Sequence, residues 1–236
     1  MESSNSSSSG AANLEISPEE KHKTLKKVTV SSFLGNFIEW FDYASYSYLA
    51  TVIALVFFPG EDRMVATMMT FGVFALAFLV RPVGAIFWGN MGDKKGRKWA
   101  LSVSILLMSG STFLIGCLPG YAAIGVAAPL LLLLLRVVQG FSASGEYAGA
   151  ATFIAEYAPK NHRGFYCSMV PASTATGLLV GSLFASFMYS VWGADSAFMS
   201  DWGWRIPFLL AGPLGLVAHY IRTKLEDSPT YQEMQA

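Results

Sequence analysis

Residues 124–157 read IGVAAPLLLLLLRVVQGFSASGEYAGAATFIAEY, and this stretch decides the fold class. Its first half is apolar almost without a break, as the hydrocarbon interior of a bilayer demands. Yet Arg136 and Glu146 stand inside it. A charge at the bilayer centre costs at least about 2.5–3.5 kcal/mol, so such residues face a bundle interior or a pathway rather than lipid. The stretch reads as a membrane-spanning helix, longer and more polar than crossing requires, with its charged face turned inward.

Working outward, five more apolar segments flank it: 28–58, 67–89, 99–118, 165–191 and 204–222. Each reaches the roughly 20 residues that a spanning helix needs. The first is also longer and more polar than necessary, and it too is expected to face the interior. On the fifth, Gly177, Gly181 and Ala185 recur every four residues, a spacing that permits close helix contact. The chain therefore reads as an all-α membrane protein of six transmembrane helices: a disordered Ser/Asn-rich tail over 1–27, a helical domain over 28–224, and the start of a loop over 225–236. Composition agrees. Apolar residues make up 53% and charged residues 14%, well below the charged share of a soluble domain. Net charge is zero, so no basic surplus exists for nucleic acid. Cys117 and Cys167 fall at opposite ends of their helices and are expected as free thiols.

The basic residues are sorted by loop. Lys21, Lys23, Lys26 and Lys27 precede the first helix; Lys94, Lys95, Arg97 and Lys98 follow the second; Lys160 and Arg163 follow the fourth; Arg222 and Lys224 follow the sixth. The alternate loops hold little positive charge, so both termini are expected in the cytoplasm of a cell whose plasma membrane the chain crosses.

Five ionisable residues fall within the expected spans: Glu39, Asp42, Arg81, Arg136 and Glu146. Three carboxylates thus face two guanidiniums. An unpaired carboxylate in a low-dielectric site holds a proton, which points to proton coupling. Glu39, Asp42 and Tyr46 share one helical face, and Arg136, Gln139 and Glu146 share another. Glu39 and Glu146 lie about 16 Å from the basic end of their helices and Arg81 about 12 Å, with Asp42 and Arg136 deeper. These depths allow a network without assigning its pairs. Asp42 is the first candidate for the proton, Glu39 the second, and Arg136 the expected partner. Arg81, beside Pro82, could instead snorkel to the headgroups. His219 reads as a polar residue near a helix end.

Several motifs carry a family resemblance. GNMGDKKGRK at 89–98 resembles the loop signature of the major facilitator superfamily, and RVVQG at 136–140 matches its fourth-helix motif. GNFIEWFDY at 35–43, GFSASGEY at 140–147, EYAP at 156–159 with RGF at 163–165, and DWGWRIPF at 201–208 resemble the metabolite:proton symporter branch, which includes carriers of proline and betaine, oxoglutarate, citrate and shikimate. The resemblance implies one half of a major-facilitator fold, built as a 3+3 inverted repeat, with the missing C-terminal half or a second copy as partner. It implies a cytoplasmic gate of Gly89, Asp93, Gly96 and Arg97, with Arg97 near Glu156. It also implies a role for Arg136 in proton coupling, with Glu39 and Asp42 lining a central cavity. The fifth helix lacks the Gly-Pro pattern of proton-driven exporters, which favours uptake.

GEYAGAATFIAEYAP at 145–159 looks most similar to the proline/betaine carriers. Trp40, Tyr43 and Tyr46, with Gln139, are the expected substrate contacts, the rings suiting a quaternary ammonium. An organic acid is the alternative substrate. No metal or organic cofactor is expected; a proton gradient would drive uptake. Two other classes compete. Ser144-Gly145 with His219 superficially resembles an intramembrane serine protease, although Ser142 stands where that pattern wants Gly. A non-transporting membrane subunit is the third.

Overall fold

A computed structural model describes residues 18–225, and among them every regular element is helical. Six spans cross the bundle. The first comprises helices Pro18–Tyr48 and Ala50–Phe57; the sixth is Ile206–Thr223, entered through a 3-10 turn at Gly203–Arg205. Between them lie Arg63–Lys95, Arg97–Cys117, Ala127–Tyr157 and Lys160–Trp192, each long and apolar enough to cross a membrane by itself. The first is more polar, with Ser31, Ser32, Asn36, Glu39, Asp42 and Ser45 all buried. The sixth is shorter and holds Pro213 and His219.

The first helix starts ten residues earlier than the apolar pattern indicates. Proline suits a first helical turn, and Glu19 complements the positive end of the helix dipole. Residues 18–27 are therefore helix, not disordered tail; the expectation for 1–17, and that for 226–236, fall outside the described residues.

Local chemistry sets the joints. Gly96 alone separates the second span from the third, at φ +93°, a conformation L side chains rarely adopt. Asp62 caps the second span by accepting from the Met64 amide at 2.9 Å. Two spans are interrupted about midway along their length: the second at Val80, just before Arg81 and Pro82, and the fourth at Ser144–Gly145.

Packing follows small residues. A Cβ on Gly177 would lie 2.8 Å from the Phe37 carbonyl oxygen, and one on Gly181 would lie 2.7 Å from the Ala44 Cβ. The fifth span therefore rests backbone-close on the first, as the four-residue spacing indicates. The third span is the most enclosed of the four apolar ones, with 61% of its most apolar stretch buried against 22% for the second and the fifth. Those two show apolar side chains such as Met68, Leu79, Leu183 and Phe187 outward, as lipid contact allows. Cys117 and Cys167 are both free.

Candidate functional site

Three ion pairs lie inside the bundle, and each unites different spans. In the deepest, Arg136 of the fourth span donates to both Asp42 oxygens, at 2.6 and 3.4 Å, and to Gln139 Oε1 at 2.6 Å. Gln139 Nε2 in turn donates to Asp42 Oδ2 at 2.6 Å and to Thr112 Oγ1 of the third span at 2.9 Å. The guanidinium carbon sits 3.9 Å from the centre of the Tyr46 ring. Arg136 and Asp42 are both fully buried. A buried pair is costly unless further hydrogen bonds support it; Gln139 bonds both members, and Thr112 bonds Gln139 in turn.

In the second pair, Arg81 donates to Glu39 and to the Tyr43 hydroxyl, while its guanidinium lies over Phe78 at 4.5 Å. Snorkelling is thereby overturned: the helix restart at Arg81 aims the side chain at the first span.

The third pair was not legible in the charge pattern. Arg222, counted among the basic residues following the sixth helix, is buried and donates twice to Glu146. It donates also to the Leu101 carbonyl at 2.7 Å and the Ser31 carbonyl at 3.2 Å. The surplus carboxylate inferred from sequence therefore disappears: among the described residues three buried acids meet three guanidiniums. Nor do Arg136 and Glu146 share a continuous face, because the break at Ser144–Gly145 separates them. The available signal was a stripe of buried small residues, Ala211, Gly215 and Ala218, whose four-three-four spacing continues to Arg222. His219, one turn before the helix end, joins the Ser102 carbonyl at 2.9 Å.

An open groove of about 590 Å³ runs over the first span between the second and fifth, lined by Trp40, Tyr43, Tyr48, Phe74, Phe78 and Ser182 among others. Trp40 and Tyr43, two of the expected substrate contacts, line this groove. Tyr46 and Gln139 do not: both are buried in the Asp42 cluster. Glu39 and Asp42 are likewise buried rather than lining the groove, because each has an internal arginine to satisfy.

At the basic end, Arg97 Nε meets Glu156 at 2.9 Å, the expected pairing. Asp93 is 3.9 Å from Arg97 and largely exposed. Gly89 and Arg97 line a cavity of about 140 Å³ between the second, third and fourth spans, and Gly96 forms the adjoining turn. Ser144 gives its bond to the Phe141 carbonyl and His219 joins the Ser102 carbonyl, so each is bonded to backbone rather than to the other. Among the described residues no acid, histidine and cysteine cluster suits a metal.

The chain resembles known proteins in sequence and in fold. The family model described as sugar (and other) transporter covers residues 27–236. The proline/betaine transporter of Salmonella typhimurium is 43% identical over 209 residues, 89% of this chain and 41% of the relative. The glycine betaine/proline/ectoine/pipecolic acid transporter OusA of Dickeya dadantii matches at the same identity and coverage. The chain thus spans about two fifths of these curated relatives. Among solved structures, the major facilitator superfamily proton:xylose symporter XylE, bound to 6-bromo-6-deoxy-D-glucose, superposes with a TM-score of 0.79 at 17% identity, over 92% of this chain and 48% of that one. At that identity the likeness is one of fold: a six-helix half of the major-facilitator architecture.

Proposed function

This chain belongs to the sugar (and other) transporter family, and we propose that it is the amino-terminal half of a proton-coupled symporter importing a small zwitterionic osmolyte such as proline or glycine betaine. The supporting observation is the Asp42–Arg136–Gln139 cluster, a buried ion pair joined to the aromatic groove through Tyr46, which stacks on Phe74 of its wall. With acids and guanidiniums balanced, a proton cannot reside on a spare carboxylate. It must arrive as a pair is broken, so that protonation and rearrangement become one event. The substrate class rests on relatives named for proline and betaine, and on a groove wall of rings suited to a quaternary ammonium. A dicarboxylate would require a spare cation, and among the described residues Arg81, Arg136 and Arg222 already have acids. A second six-helix half, or a second copy, would close the groove.

In this reading the end carrying Lys26, Lys27, Lys94, Lys95, Lys160 and Arg163 faces the cytoplasm. Arg97, Glu156 and Asp93 then form its gate. In the complete carrier, Asp42→Asn is expected to abolish accumulation of labelled proline or betaine driven by a pH gradient. Exchange of substrate down its own gradient should partly survive, because the amide resembles the protonated acid. Undiminished accumulation in that variant would remove Asp42 from the proton step.

A further inference from the structure

Arg136 has a second set of neighbours besides Asp42. Its guanidinium carbon is 3.9 Å from the Tyr46 ring centre, 5.5 Å from that of Phe208 and 6.0 Å from that of Phe74. The rings come from the first, sixth and second spans and brace one another. Tyr46 stacks on Phe74 at 5.4 Å and meets Phe208 edge-on at 6.4 Å, and its hydroxyl donates to the Thr70 carbonyl at 2.9 Å. The guanidinium is wholly buried, and its Nε has no hydrogen-bond partner.

We infer that Phe208, with Tyr46 and Phe74, is a positioning residue of the proton step, forming an aromatic box that holds Arg136 while Asp42 is neutral. This rests on the proton-coupled reading above. When a proton joins the Asp42 carboxylate, the ion pair loses its negative member and nothing else changes covalently. A buried guanidinium stripped of its counter-charge is strongly disfavoured. Gln139 Oε1 and the negative faces of the rings are what remain beside it. The box therefore keeps Arg136 where the next deprotonation of Asp42 can recapture it. Trp204 packs against Phe208 at 6.1 Å, which keeps that ring in place.

The test replaces Phe208 in the complete carrier by phenylalanines bearing one, two and three ring fluorines, which weaken the π face with little change in shape. Labelled proline is the probe. Accumulation driven by a pH gradient should fall stepwise, by about tenfold at three fluorines, while exchange at symmetric acid pH stays within about twofold. Phe208→Tyr should retain accumulation and Phe208→Leu should lose it. If the trifluoro carrier accumulates as well as the parent while Asp42→Asn does not, the box has no role and the proton assignment stands. If accumulation and exchange fall together along the series, the ring acts through packing alone, and the inference fails. If Asp42→Asn itself accumulates normally, the underlying reading fails and the box with it.

Discussion

Arg136 and Arg222 are the same side chain in the same condition, wholly buried and paired with a wholly buried acid, yet they are held in opposite ways. Arg136 touches side chains: Asp42, Gln139 and the faces of rings. Arg222 grips backbone. From the sixth span it reaches main-chain carbonyls of the first and third spans and the carboxylate of Glu146 in the fourth, so one guanidinium ties four of the six together. Side chains can rotate away without moving a helix, whereas carbonyls cannot. In the proposed reading the first pair can separate while side chains still hold its arginine, whereas the second is fixed to backbone.

The largest expected effect that could break this contrast is on stability. Arg222→Gln strands the Glu146 carboxylate and should destabilise the protein by about 3–5 kcal/mol, seen as a lower unfolding temperature in detergent. Replacing both partners, Arg222→Leu with Glu146→Leu, should recover much of that loss. Asp42→Asn should cost far less, since Gln139 and the rings still hold Arg136; an equal loss in both variants would erase the distinction. A subtler probe is Gly35→Ala. A Cβ there would run into the Glu146 carboxylate and come 2.6 Å from an Arg222 nitrogen, so a loss of about 1–3 kcal/mol is expected by the same thermal measurement.

Smaller effects are expected at the proposed gate. Glu156→Gln removes the 2.9 Å partner of Arg97, and Asp93→Asn only the distant, exposed one. Both should slow proline uptake in the complete carrier with expression intact, Glu156→Gln more than Asp93→Asn, whose contact is worth under about 1 kcal/mol. A greater effect at Asp93 would overturn this ranking. Last, tags at either terminus should be inaccessible from outside sealed cells; an exposed tag would invert the assignment of the basic end.

Much of the architecture was legible because bilayer physics acts on local sequence. Apolar runs mark spans, the four-residue spacing of Gly177 and Gly181 marks a close helix contact, and buried charges mark the interior. Arg97 with Glu156 was legible through motif resemblance, and the structure brings them to 2.9 Å. The helix over 18–27 escaped an apolar criterion because its signals are a proline and Glu19 at a helix start.

The sequence by itself determined that Glu39, Asp42, Arg81, Arg136 and Glu146 lie within the spans, and which face each occupies only where its helix runs unbroken, as for Glu39 and Asp42. Only the tertiary structure decided their partners. Glu39 and Asp42, one turn apart, diverge to Arg81 and Arg136 because the second span restarts at Arg81 while the fourth passes deeper. Arg222 looks like an anchor in water because it sits in the last turn of its helix. It becomes the third internal cation because that turn is sunk among the first, third and fourth spans, and burial is a property of what surrounds a residue, not of its place in the chain.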